Sequence, residues 1–154
     1  MNAALSKTTK IRDVMTRGVV TINEDDAIHS ALDLMVEHRV SALPVVDKKN
    51  HCIGILSSTD LTDLTKAVDL TFDEGDGDSQ DHFWASAIIR DHFGAEMVST
   101  LMTKDVAVIS MEATVQDAAR AMLRDRVHHI PVVDDHNKLH GIVSSFDLVK
   151  VLAD

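Results

Sequence analysis

Two serine–aspartate pairs carry the first chemical signal. Ser57 stands three residues before Asp60 in "SSTD", and Ser144 three before Asp147 in "SSFD". In each case an apolar, strand-like run gives way to a helical one. Each carboxylate therefore lies at a helix start, beside free N–H groups that stabilise it. Its two oxygens can accept from both hydroxyls of a sugar cis-diol. Such a site rejects a deoxy sugar, which leaves an acceptor without its donor. The plainer alternative is a pair of N-cap aspartates with no ligand. The second signal is His128-His129, with Arg126 just before them. Imidazole and guanidinium groups suit anionic oxygens, and an ordinary polar strand start is the alternative.

The elements that must position these residues are written twice. Shifted by 87 residues, the chain matches itself without a gap between 14–61 and 101–148, and 19 of those 48 pairs are identical. Internal duplication is thus the primary structural fact. "VVTI" (19–22) and "VAVI" (106–109) predict short strands. Helices follow, with Ile28, Ala31, Leu32, Met35 and Val36 recurring at helical spacing in one copy, and Val115, Ala118, Ala119, Met122 and Leu123 in the other. Asp26 and Thr114 are the expected N-caps. A strand entered through proline comes next ("ALPVVD", "HIPVVD"), then a polar turn, another strand, and a helix opening at "STDL" or "SFDL". The order is β-α-β-β-α, twice. One unit of about 50 residues is too small to bury a good core alone. Two units packed sheet to sheet would cover each other about a pseudo-twofold axis.

The stretches "DVMT…VVTI…ALDLMVEHRVSALPVVD…CIGILSSTDL" and "TLMT…VAVI…AARAMLRDRVHHIPVVD…HGIVSSFDL" resemble a tandem pair of CBS domains, a Bateman module. "HRVSALPVVD" is similar to a stretch in the CBS repeats of the regulatory γ subunit of AMP-activated protein kinase. The resemblance implies an α/β (α+β) fold of two repeats. It also implies a cleft between them that takes an adenosyl ligand such as AMP, ADP, ATP or S-adenosylmethionine. It implies a crossed geometry as well. Asp60, Ser57 and Thr59 would share one site with Arg126, Val127, His128, His129, Ile130 and Pro131. Asp147, Ser144 and Phe146 would share the other with Val40, Ser41, Ala42, Leu43 and Pro44, where only Arg17 or Arg39 supplies charge. The two clefts should therefore differ. Thr16 and Thr103 would line the adenine pockets, with Val19, Val20, Val106 and Ala107 against the base or simply in the core.

Composition bounds the rest. Apolar residues make up 45% of the chain and aromatics 3%, so the core must be aliphatic. A net charge of −10 opposes nucleic-acid binding, which needs a basic face. The single cysteine, Cys52, excludes an internal disulfide and points to a reducing compartment. No apolar run reaches the ~20 residues of a membrane span, and the first residues lack a signal-peptide pattern, so a cytoplasmic protein is expected. His136 and His140 flank a turn, so no metal is expected. No G-x-S-x-G elbow occurs, and no enzyme activity is expected. Residues 10–70 and 97–154 are read as the repeats. Residues 71–96 are read as an acidic loop ("DEGDGDSQD", 73–81) and an inserted helix holding Trp84, which covers the core. The expected function is a stand-alone regulatory homodimer that needs no cofactor. It would bind an adenine nucleotide or S-adenosylmethionine as regulatory ligand, and signal to an effector protein. The alternative is an interaction module with empty clefts.

Overall fold

The computed structural model describes residues 7–67 and 93–153. The acidic loop and the Trp84 helix, up to residue 92, lie outside the described residues. The first repeat contains α1 (Ile11–Val14), β1 (Ile22–Asn23), α2 (Ile28–His38), β2 (Ala42–Val46), β3 (Cys52–Ser57) and α3 (Ser58–Ala67). The second opens on a 3-10 turn (Val98–Thr100), followed by β4 (Ile109–Ser110), α4 (Val115–Asp125), β5 (His129–Val133), β6 (Leu139–Ser144) and α5 (Ser145–Ala153). Each repeat has one three-stranded sheet, ordered β1-β2-β3 or β4-β5-β6. The first pair in each is parallel and the second antiparallel. The duplicated β-α-β-β-α order is the one the sequence predicts.

The opening strands are shorter than "VVTI" and "VAVI" imply, and proline explains why. Pro44 pairs with Ile55, whose N–H and C=O turn outward to bond Thr103. Pro44 and Ile55 are therefore a non-hydrogen-bonded pair, and the missing N–H of Pro44 faces β1. Upstream of Ile22, β1 has no donor there to pair with. Pro131, opposite Ile142, stops β4 in the same way.

The two main helices are amphipathic, burying Ile28, Ala31, Leu32 and Met35 on α2 and Val115, Ala118 and Met122 on α4. Val36 and Leu123, expected in that stripe, are 69% and 81% exposed and lie on its outer edge. Thr114 caps α4 in a full capping box with Asp117. Asp26 does not cap α2. The N-cap is Ala27, and the Asp26 carboxylate instead accepts from Asn23 N–H at 3.0 Å, closing the turn before the helix. Both helices end on an arginine in the left-handed region, Arg39 (φ 53°) and Arg126 (φ 54°), a conformation more often given to glycine.

Each core contains a piece of the other repeat. Ile22, Leu43, Val45 and Leu56 of the first sheet pack with Val98, whereas Ile130, Val132 and Val143 of the second pack with Ile11 and Met15. The backbone follows the same exchange. Ile11 N–H donates to Ala113 O at 2.9 Å, and Val98 N–H donates to Asp26 O at 2.8 Å. The α1 segment therefore belongs to the second core and the 3-10 turn to the first. At the centre, His51 bridges Lys138, a pair that the 87-residue shift maps onto itself. The pseudo-twofold axis passes there. Asn50 and Asn137, both at positive φ, donate across it to Leu139 O and Cys52 O.

Candidate functional site

The site begins where β3 becomes α3. Ser57 caps the helix, and Asp60 at its third position completes the box. Ser57 N–H and Oγ–H donate to Asp60 Oδ2 at 2.8 and 3.1 Å, and Asp60 N–H returns to Ser57 Oγ at 3.4 Å. The serine is thus the cap and the aspartate its partner, rather than the aspartate being the N-cap. The other repeat then supplies Thr103, whose hydroxyl donates to Asp60 Oδ1 at 3.2 Å. Thr103 is held there by a two-way backbone bridge to Ile55, at 2.9 and 3.0 Å. Gly54 makes the approach possible, because a Cβ there would lie 2.9 Å from both Thr103 O and Met102 Sδ.

A cavity of about 950 Å³ opens over this carboxylate, within the size range of small-ligand sites. The crossed geometry brings the two halves together. Ser57, Thr59, Asp60, Thr103 and Val106 line it with Arg126, Val127, His128 and His129. Ala107 also lines it. Pro131 and Ile130 do not, since both are fully buried in the strand beneath. Ser41 is on this wall, not in the opposite cleft where sequence put it, because the starts of β2 and β5 face each other. Its Oγ lies 3.5 Å from His129 Nε2. Sequence reasoning passed over Asp105, Arg124 and Asp125, which also line the cavity. The clue available was the span from Arg124 to His129, which turns the chain out of α4 and back into β5.

The electrostatics differ from the expected pair of charge-assisting imidazoles. Burial, and the neighbouring His128, hold the His129 imidazole below its ordinary value, against a smaller pull from Asp147. His129 is therefore a neutral donor at pH 7. Arg124 is engaged by Asp125 through two bonds of 3.0 Å. Arg126 donates its backbone N–H to Met122 O as the helix C-cap, and among the described residues its guanidinium has no partner. Asp60 keeps one lone-pair site, since Oδ2 takes two donors and Oδ1 one. A diol therefore needs the Thr103 hydroxyl to turn aside.

The second half-site repeats the scaffold without the same surroundings. Ser144 N–H and Oγ–H donate to Asp147 Oδ2 at 2.8 and 2.9 Å, and Thr16 bridges Ile142. Among the described residues the Thr16 hydroxyl makes no bond to Asp147. Phe146 is 65% exposed, with Lys150 Nζ 5.1 Å from its ring centre. Ala42, Leu43 and Pro44 are buried, Val19 is partly buried, and Val40 and Thr16 are exposed. A further cavity of about 590 Å³ lies elsewhere, beyond β1 and β2, between the Asn23–Asp26 turn and Asp47, Lys48, Lys49 and His51. His140 is paired with Asp134 at 2.8 Å, and among the described residues no three His, Cys, Asp or Glu side chains meet as a metal site. Among the described residues no helix is long and apolar enough to cross a membrane.

Comparison with known proteins agrees with this architecture. The CBS-domain family model matches residues 11–66 and 98–154. The crystal structure of CBSX2 from Arabidopsis thaliana in complex with AMP is 26% identical, with a TM-score of 0.72, covering 94% of this chain and 96% of that one. The CBS domain of a membrane protein from Sphaerobacter thermophilus is 29% identical, with a TM-score of 0.73, covering 97% and 91%. Inosine-5'-monophosphate dehydrogenase of Methanocaldococcus jannaschii is 28% identical over 141 residues, covering 92% of this chain. The chain spans only 23% of that enzyme's length. Two matched repeats, their shared core and the crossed cavity give one conclusion: the chain belongs to the CBS-domain family and carries the domain twice, as a CBS pair.

Proposed function

We propose that this CBS pair is a regulatory module that binds an adenosyl ligand in the cavity over Asp60. The observation that carries the reading is the Asp60 carboxylate, set by its own repeat and bonded by Thr103 of the other, facing Arg126 and His129 across one cavity. Asp60 and Thr103 would take the ribose hydroxyls, Val106 and Ala107 the base, and Arg126 with the histidine N–H groups a phosphate. The likeness to CBSX2, solved with AMP, supports the ligand class. The module itself would do no chemistry. Because both repeats wall the cavity, a ligand stabilises one mutual arrangement of the halves, and an effector protein reads it. A homodimer is part of the proposal.

Calorimetric titration with AMP, ADP, ATP and S-adenosylmethionine tests this. Binding by at least one is expected, with a matching rise in melting temperature. A ligand at 100 times its Kd adds about 2.7 kcal/mol. No heat and no shift with any of the four would overturn the proposal.

One observation favours a second reading, an interaction module with an empty cavity. Phe146, Val149 and Leu152 form an exposed apolar stripe on α5, where the matched positions of α3 hold Thr59, Thr62 and Thr65. That reading predicts a silent nucleotide panel together with association that Leu152→Ser abolishes.

A further inference from the structure

Helix α5 is apolar on two faces. Leu148 and Val151 pack into the second core, while Phe146, Val149 and Leu152 each stand more than half exposed on the outer side. A helix apolar on both sides needs cover on both. The fold itself does not demand the outer stripe, because the matched positions of α3 are Thr59, Thr62 and Thr65. On the neighbouring α4, Leu123 is exposed as well. Such side chains offer apolar surface on the order of the few hundred Å² that mark an interaction site.

Charge indicates what covers the stripe. The chain carries −10 overall, so two copies repel unless they meet where charge is low. Helices α4 and α5 carry Asp117, Asp125 and Asp147 against Arg120, Arg124 and Lys150, a net of zero. Helices α2 and α3 carry Asp33, Glu37, Asp60 and Asp63 against Lys66, a net of −3. Two first-repeat faces would therefore oppose each other, and a head-to-tail contact would lay the apolar stripe on threonines. Two second-repeat faces meet without net charge, apolar on apolar. The stripe is also self-matching. Phe146 and Leu152 lie three residues either side of Val149, so a two-fold axis through Val149 sets Phe146 of one copy against Leu152 of the other. An isologous contact requires that symmetry.

We propose that two copies of this chain pair through α5 as an isologous dimer, with their second repeats in contact. This gives the homodimer of the reading above its face and rests on that reading there alone.

The test is sedimentation of the full chain over a dilution series, without nucleotide. A dimer is expected. Leu152→Ser should raise its dissociation constant about a hundred-fold, because each dimer loses two buried leucines. Leu152 is exposed in the single chain, so an unchanged circular dichroism spectrum checks that the variant is folded. Mild oxidation should link Val149→Cys to itself across the axis, whereas Thr62→Cys, at the matched position of α3, should stay unlinked. The parent, whose Cys52 is buried, is the control. A monomer at every concentration would overturn the dimer, whether another part of the chain or a different protein then covers the stripe. A dimer indifferent to Leu152→Ser would overturn the face. Failure of Val149→Cys to link with itself would overturn the two-fold arrangement, and a link only in its mixture with Thr62→Cys would identify a head-to-tail contact instead. With no nucleotide present, each failure strikes the dimer and leaves the adenosyl site standing.

Discussion

Asp60 and Asp147 occupy the same local structure and differ in what surrounds them, so paired substitutions separate scaffold from site. Replacing either with Ala removes a capping-box partner and should cost about 1 kcal/mol. Urea unfolding should show similar losses for the two. Only Asp60→Ala should also erase the nucleotide-induced rise in melting temperature. Equal loss of that rise in both variants would refute the asymmetry. Asp134 provides a different residue-scale test. Its carboxylate accepts from His140 and from the Lys138 and His136 N–H groups, and these hold its pKa at about 2. A lowered carboxylate stabilises the fold above its ordinary pKa near 4, and that contribution disappears as pH falls towards 2. Asp134→Asn should therefore be less stable than the parent at pH 6, and the two denaturation midpoints should converge as the pH approaches 2. At this scale the sequence was informative about Asp60 and Thr103, which recur as Asp147 and Thr16, and about His128-His129, which stands out because the other copy has Ser41-Ala42. It was silent on Arg124 and Asp125, because a mutual pairing of adjacent side chains leaves no periodic mark. The neutrality of His129 was equally hidden, since burial is a property of the assembled cavity.

At the scale of elements, the decisive contacts are where one repeat's lead-in segment crosses the other repeat's strand. Gly141 is the twin of Gly54, and a Cβ at Gly141 would stand 2.7 Å from Thr16 O and 2.9 Å from Met15 Sδ. A methionine can yield, but a backbone carbonyl inside a bridge cannot. Gly54→Ala and Gly141→Ala should each destabilise the fold by about 1–3 kcal/mol, measured by chemical denaturation. Gly54→Ala should in addition weaken ligand binding, because it displaces Thr103 from Asp60. Gly141→Ala should leave the affinity near that of the parent. The helices and paired strands were legible from apolar period and doubled order. The lengths of β1 and β4 were not, because a strand-like composition does not reveal that its partner lacks a donor at Pro44 or Pro131. Asp26 misled for a related reason: the carboxylate had a closer N–H to satisfy in the preceding turn.

Among the described residues each repeat's core is completed by the other, although the sequence reads as two units. Ile11 and Met15 complete the second core, and Val98 completes the first. A fragment of residues 97–154 therefore lacks part of its own interior. It should show little structure by circular dichroism alone and regain it when mixed with residues 1–70. Independent folding of either fragment would contradict this. The intact chain should unfold in one transition, with equal calorimetric and van't Hoff enthalpies. The duplication was visible in the letters, whereas the exchange of lead-in segments was not. A repeat aligned with its twin matches equally well whether each lead-in packs at home or across.

That exchange also has a bearing on concentration. The bonds that Ile11 and Val98 make are those two separate single-repeat chains would make by trading arms. Tethering turns that bimolecular encounter into an internal one, with an effective concentration set by the reach of the connection. Dilution then ceases to oppose assembly. The same arms remain able to reach a neighbouring molecule, so crowded refolding should produce interlocked dimers that dissociate only on unfolding.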